Sequence, residues 1–172
     1  MNIIACSGRS TCERTVKADR HHAAGFTLPE LMVAITITAI LAGLAAPSFS
    51  TLIANQRAKA VASELFATLS MARSEAIGRN ANVTLSPKTG AWQNGWQIFD
   101  PSNGNNLLDD RGATTGVTIA GPASLVYRPS GRIQATSAPS FVITTASGST
   151  TVYQCVSADL SGRPYMKAAP SC

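Results

Sequence analysis

From Leu31 to Gln56 the chain carries no charged residue. A helix over Leu31 to Ala54 would be about 36 Å long at about 1.5 Å per residue, enough to cross a hydrocarbon layer of about 30 Å. A buried helix of a soluble domain shows polar positions every turn, and the apolar core of a secretory signal runs for only about 7–15 residues. A membrane segment is the reading that fits. It also explains the composition: 13% charged residues is low against about 25% for soluble domains, and the deficit is local. At 172 residues one further domain is the default.

Residues 1 to 25 precede this segment with Arg9, Arg14, Lys17 and Arg20 against Glu13 and Asp19. Positive charge before an apolar span stays cytoplasmic, so the chain from about Arg57 onward is expected across the membrane, in a bacterial periplasm. Glu30 is the anomaly. A carboxylate in a bilayer costs about 2.5–3.5 kcal/mol near the centre, less towards an end, and marks a paired group, yet the segment holds no cation. A cut between Gly25 and Phe26 would create an α-ammonium one helical turn before the acid. Pro29 points to the same cut. Inside an uninterrupted helix it costs about 3 kcal/mol or more, whereas in a first turn its missing N–H has no partner to lose.

The stretch "GFTLPELMVAITITAILAGLAAPSF" resembles the signal and anchor of type IV prepilins and type II secretion pseudopilins: glycine, aromatic residue, glutamate and apolar span at fixed spacing. The resemblance implies cleavage by a prepilin peptidase after Gly25 and methylation of the Phe26 amine. It also implies that Glu30 pairs with that amine during assembly, and that Pro47 sits where such helices kink or loosen. Pro29 departs from the commoner aliphatic residue, and the 25-residue leader is long; a misassigned upstream start codon would account for that length.

After the span, Val61, Leu65, Leu69 and Ala72 or Ala76 recur at three- and four-residue steps. They predict one apolar helical stripe to be buried on a sheet, with Arg57, Lys59, Glu64, Arg73, Glu75 and Arg79 on a solvated face. Gly78-Arg79-Asn80 reads as the helix end. Six β-rich runs follow, "NVTLS", "GWQIFD", "GVTIAG", "SLVYRPSGRI", "SFVITTA" and "TVYQCVSAD", separated by Gly, Pro, Ser and Asn. The expected fold class is α+β: a long N-terminal hydrophobic and then amphipathic helix on a mainly antiparallel sheet. "MARSEAIGRNANVTL", "GWQIFDPSNGNNLLDD" and a late Gly-Arg in a cysteine loop resemble the GspH/FimT group of minor pilins and pseudopilins.

With Cys6 and Cys12 in the leader, Cys155 and Cys172 remain, and an oxidising periplasm favours their disulfide, worth about 3 kcal/mol for a loop of about 15 residues. The tail so pinned carries Arg163, Tyr165 and Lys167, two cations for phosphates and one ring for stacking; Arg128 and Arg132 extend the patch if they fall on the same side. FimT-like proteins are implicated in DNA uptake through a Gly-Arg-x-Arg tail. Gly162 and Arg163 match, but Tyr165 replaces the second arginine. The alternative for this loop is an exposed turn whose cations serve solubility or contact a neighbouring subunit. The mature charge, ten basic against seven acidic residues, is a weak hint towards polyanions.

"DPSNGNNLLDD" does not follow the spacing of an EF-hand and reads as a hairpin loop, so no metal or cofactor is expected. Trp92 and Trp96 read as packing residues. Both histidines lie before Gly25 and no P-loop or Gly-x-Ser-x-Gly occurs, so an enzyme is not expected. The expectation is therefore a cleaved leader (1–25), a transmembrane and assembly helix (26–54) and a periplasmic head (55–172). The implied partners are other pilin or pseudopilin subunits, the prepilin peptidase, the inner membrane with its assembly platform, and DNA. The type II pseudopilin is the alternative to the type IV minor pilin.

Overall fold

A computed structural model describes residues 26–172 except Ser149, with backbone alone for residues 45–48. Gly25, the leader cysteines and the side chain of Pro47 thus lie outside the described residues. The chain divides into two units, one ending at Leu41 and one covering Ala42–Cys172. Helix α1 spans Leu28–Arg79.

In the first unit α1 opens with a reciprocal cap. The Glu30 N–H donates to Thr27 Oγ1 and the Thr27 N–H donates to a Glu30 carboxylate oxygen, both at 3.4 Å. Thr-x-x-Glu is the sequence of a capping box, satisfying two backbone donors that a helix start leaves free. Pro29 falls in that first turn, as its missing N–H requires. Beyond the cap the apolar side chains are uncovered: Phe26 is 80% exposed, and Leu31, Ile35 and Ile40 are all above half.

In the second unit the same helix behaves differently. Ala54, Ala58, Val61, Ala62, Leu65, Leu69, Ala72 and Ala76 are buried along one stripe of period near 3.6, and their burial drives the packing of α1 on the head. Beside them Thr68 is buried and accepts a hydrogen bond from the Trp96 indole at 3.0 Å. The helix stops at Arg79, where Asn80 takes a left-handed φ of 50° and Ala81 N donates back to Ala76 O.

The head holds two four-stranded antiparallel sheets. The first has the order β3-β2-β1-β5, with β1 Val83–Pro87, β2 Trp96–Asp100, β3 Asn106–Asp110 and β5 Leu125–Tyr127. The second has the order β4-β6-β7-β8, with β4 Thr118–Ala120, β6 Ser140–Ser147, β7 Thr150–Ala158 and β8 Pro164–Lys167. Strand β7 alternates until Gln154 and is then buried on both faces to Ala158. Val156 and Ala158 join the common core. Cys155 is tied to the tail by the disulfide with Cys172, and the Ser157 hydroxyl donates to Pro139 O at 2.7 Å.

Each of the six β-rich runs contains a strand, although "SLVYRPSGRI" gives only Leu125–Tyr127 before its chain turns, and the antiparallel α+β class holds. Two edge strands escaped the pattern, and the strands form two sheets rather than one. β3 is mostly polar or exposed and so has no apolar alternation to betray it, while β8 opens with a proline, which a strand tolerates at its first position or at an edge. Trp92 and Trp96 are core residues: Trp92 meets Phe141 edge to face at 4.8 Å between ring centroids. Asp100 is buried and caps its own loop by accepting from Ser102 N at 3.1 Å, and no metal-holding cluster occurs among the described residues.

Candidate functional site

The candidate residues sort into three places. Glu30 lies in the helix cap, one turn from Phe26. Arg128, Arg132 and Arg163 lie on two loops that meet near the C-terminal end of α1. Tyr165 and Lys167 lie on the edge strand β8, two residues apart and so on the same face by the alternation of a strand. Lys167 Nζ donates to Cys172 O at 2.8 Å and lines a shallow groove with Lys59, Ser63 and Gln154. Tyr165 is exposed.

The two loops share one design. In the first, Gly131 N donates to Arg128 O at 2.8 Å and Arg128 N to Arg132 O at 2.9 Å; in the second, Gly162 N donates to Asp159 O at 2.9 Å and Asp159 N to Arg163 O at 3.1 Å. This is the three-residue hairpin loop whose last position needs a left-handed residue. The glycines supply it, with φ of +73° at Gly131 and +84° at Gly162. Each loop therefore reads Ser-Gly-Arg, at Ser130 to Arg132 and at Ser161 to Arg163.

They also touch. A Cβ on Gly162 would overlap the Gly131 carbonyl oxygen and crowd the Tyr127 ring, while a Cβ on Gly131 would meet Ile77 of α1 at 2.7 Å. Ile133 N donates to Leu160 O at 3.4 Å, a further tie between them. Arg73 reaches both from α1: Nε donates to Gly131 O at 3.2 Å and Nη2 to Ser161 O at 3.4 Å. That corrects the sequence expectation of a solvated Arg73, which is half-buried; its acceptors are loop carbonyls 58 and 88 residues away. The repeated Ser-Gly-Arg was the available signal. Glu75 and Arg79 do form the expected pair, at 2.6 Å, on the exposed side.

Two titrations shape this corner. Ser161 Oγ and the Arg163 N–H both donate to Asp159 Oδ1, at 2.6 and 2.9 Å, and these bonds hold its carboxyl below the usual range. Burial pushes the Tyr127 phenol up to about 12, against a smaller opposing pull from Arg73, so it stays neutral. Its hydroxyl is buried without a hydrogen-bond partner among the described residues.

A long N-terminal helix on antiparallel sheets, opening with Phe-Thr-x-x-Glu and an uncovered apolar stretch, defines a type IV pilin-like protein. The chain belongs to the family described as type II transport protein GspH, which it matches over residues 61–162, and it matches the prokaryotic N-terminal methylation motif over residues 20–46. The fold is similar to that of the type IV minor pilin FimU of Pseudomonas aeruginosa (TM-score 0.57, 22% identity, covering 68% of this chain and 96% of that one). It is also similar to the minor pseudopilin EpsH from the type 2 secretion system of Vibrio cholerae (TM-score 0.53, 13% identity, covering 65% and 97%). No curated protein matches the sequence.

The chain is thus a minor pilin or pseudopilin, of a family of structural filament subunits that assemble with other pilins. The methylation motif and the N-terminal helix fit a membrane-anchored pilin with a soluble head. No single helix among the described residues is long and apolar enough to cross a membrane, whereas Leu28–Leu44 and Phe49–Arg79 pass that test as a pair.

Proposed function

We propose that the chain is a FimT-like minor pilin of a type IV pilus, cut between Gly25 and Phe26 and methylated on the new amine. Residues 26–54 hold it in the inner membrane as a single pass, residues 55–172 form the periplasmic head, and the subunit enters the filament near its tip. The observation that carries this reading is the uncovered apolar start of α1 with Glu30 in its first turn. Such a surface is covered by lipid before assembly and by neighbouring helices after it, and a carboxylate there needs a cation, which the Phe26 amine supplies. The test is co-expression with a prepilin peptidase and mass measurement of the product. A chain beginning at N-methylated Phe26 is expected, and an uncut chain would overturn the reading.

The pseudopilin alternative is favoured by the family's own description. Deletion separates the two: loss of surface pili marks the first, loss of protein export the second.

DNA capture is a further role supported by the abutting Ser-Gly-Arg loops. The Arg128 and Arg132 side chains make no ion pair among the described residues, which leaves them open to phosphates. Binding to duplex DNA that falls with salt, and falls again in an Arg163→Ala and Lys167→Ala double variant, is the expected result. Absence of binding at low salt would remove this role and leave the assembly role standing.

A further inference from the structure

Two hairpin loops from different sheets present their arginines at one corner of the head, and α1 reaches both. We propose that Arg73 is a positioning residue: by bridging the Gly131 and Ser161 carbonyls it locks the twin loops into one platform, so that Arg132 and Arg163 engage successive phosphates of a nucleic-acid backbone. This rests on the DNA-capture reading and adds the group that organises it.

The geometry favours bridging over direct phosphate contact. The Arg73 guanidinium spends two of its donors on loop carbonyls, at 3.2 and 3.4 Å, and packs against Gly131, where a Cβ would lie 3.2 Å from its Nε. A planar fork with several fixed donors can serve two acceptors at once, which a lysine ammonium does as a point charge without that rigidity. Asp159, the acid of this corner, already accepts from Ser161 and Arg163 within its own loop. Loop shape and loop charge are therefore set by different residues: hydrogen bonds within each turn fix its form, and Arg73 fixes one turn against the other.

The experiment compares the full chain in detergent with Arg73→Lys, Arg73→Met and Arg163→Ala. Binding to a short labelled duplex of arbitrary sequence is followed from about 50 to 200 mM salt. One lost phosphate contact lowers the slope of log affinity against log salt by about 0.9, the change expected for Arg163→Ala. Both Arg73 variants are expected to lose about twice that slope and to bind about tenfold or more weakly at low salt.

Wild-type affinity and slope in Arg73→Lys would overturn the proposal, since charge alone would then suffice. A lowered melting temperature with an unchanged salt slope would also overturn it, by reducing Arg73 to a stability residue. Hydrogen exchange read on the same proteins separates this inference from the reading beneath it. Faster exchange of the amides of residues 130–133 and 160–163 in Arg73→Lys is expected. If the wild type binds no DNA, the capture reading fails; if exchange is unchanged, the bridging fails independently.

Discussion

Helix α1 is one element with two kinds of surface, and the contrast between them divides the work of the chain. Along residues 54–76 a narrow stripe of apolar positions is buried, flanked by the partly buried Phe66 and Met71, and the small side chains Ala58, Ala62, Ala72 and Ala76 let the helix lie close against the head. Along residues 28–44 apolar side chains point in all directions and every described one is exposed. The first surface is satisfied by the chain itself. The second is satisfied only by lipid or by other subunits, so its sequence is selected for a surrounding the chain does not contain. Stability of the head and competence to assemble should therefore be separable by mutation.

Ranked by effect on the head, the sharpest way to break that separation is Trp96→Ala. It empties a fully buried site and removes the hydrogen bond that the Thr68 hydroxyl accepts, leaving only its donation to Glu64 O, and a loss of about 3–5 kcal/mol is expected in denaturant unfolding. Replacing Cys155 and Cys172 by serine should cost about 3 kcal/mol, because the bond closes a loop with a sequence separation of 17; a reduced melting temperature equal to that of the wild type in reductant would check it.

Tyr127→Phe should be neutral or stabilising by up to about 1 kcal/mol, since the buried hydroxyl forms no hydrogen bond among the described residues. It should also remove an alkaline transition. The phenol ionises near 10 when unfolded and at about 12 when folded, so the wild type loses stability as pH rises through that interval and the phenylalanine variant does not. Asp159 has the opposite sign. Its carboxyl is held below its ordinary value of 3.8, so whatever it contributes is present above that pH and is lost as pH falls through the folded value. Exchange of the Gly162 and Arg163 amides should accelerate there.

At the bottom of the ranking stand Glu30→Gln and Ile37→Ala, both in the exposed stretch. Head stability should change by less than about 0.5 kcal/mol, while incorporation of Glu30→Gln into filaments should fall. A destabilised head in either variant would contradict the division drawn above.

The elements that followed from sequence are those whose cause is local. The stripe at Val61, Leu65 and Leu69, the stop at Asn80 and the six β-rich runs are written in periodicity and in turn residues. Strands β3 and β8 were hidden because edge strands need little apolar content, and the division into two sheets depends on pairings between distant segments. The Thr27 cap is written in the sequence as Thr-x-x-Glu, the same Glu30 whose carboxylate is costly in lipid. Arg73 could not be placed from its neighbours, because nothing in a helix sequence names a carbonyl 88 residues onward.

A side chain on Gly162 would strike the Gly131 carbonyl, and one on Gly131 would strike Ile77 and Arg73 of α1, so the two positions close one seam. A survey that substitutes one position at a time would score two separate intolerant glycines and miss their dependence on each other. Only variants changed at both positions, or with one loop re-cut to a different length, could reveal that what is preserved is the spacing between two sheets and not either residue for its own sake.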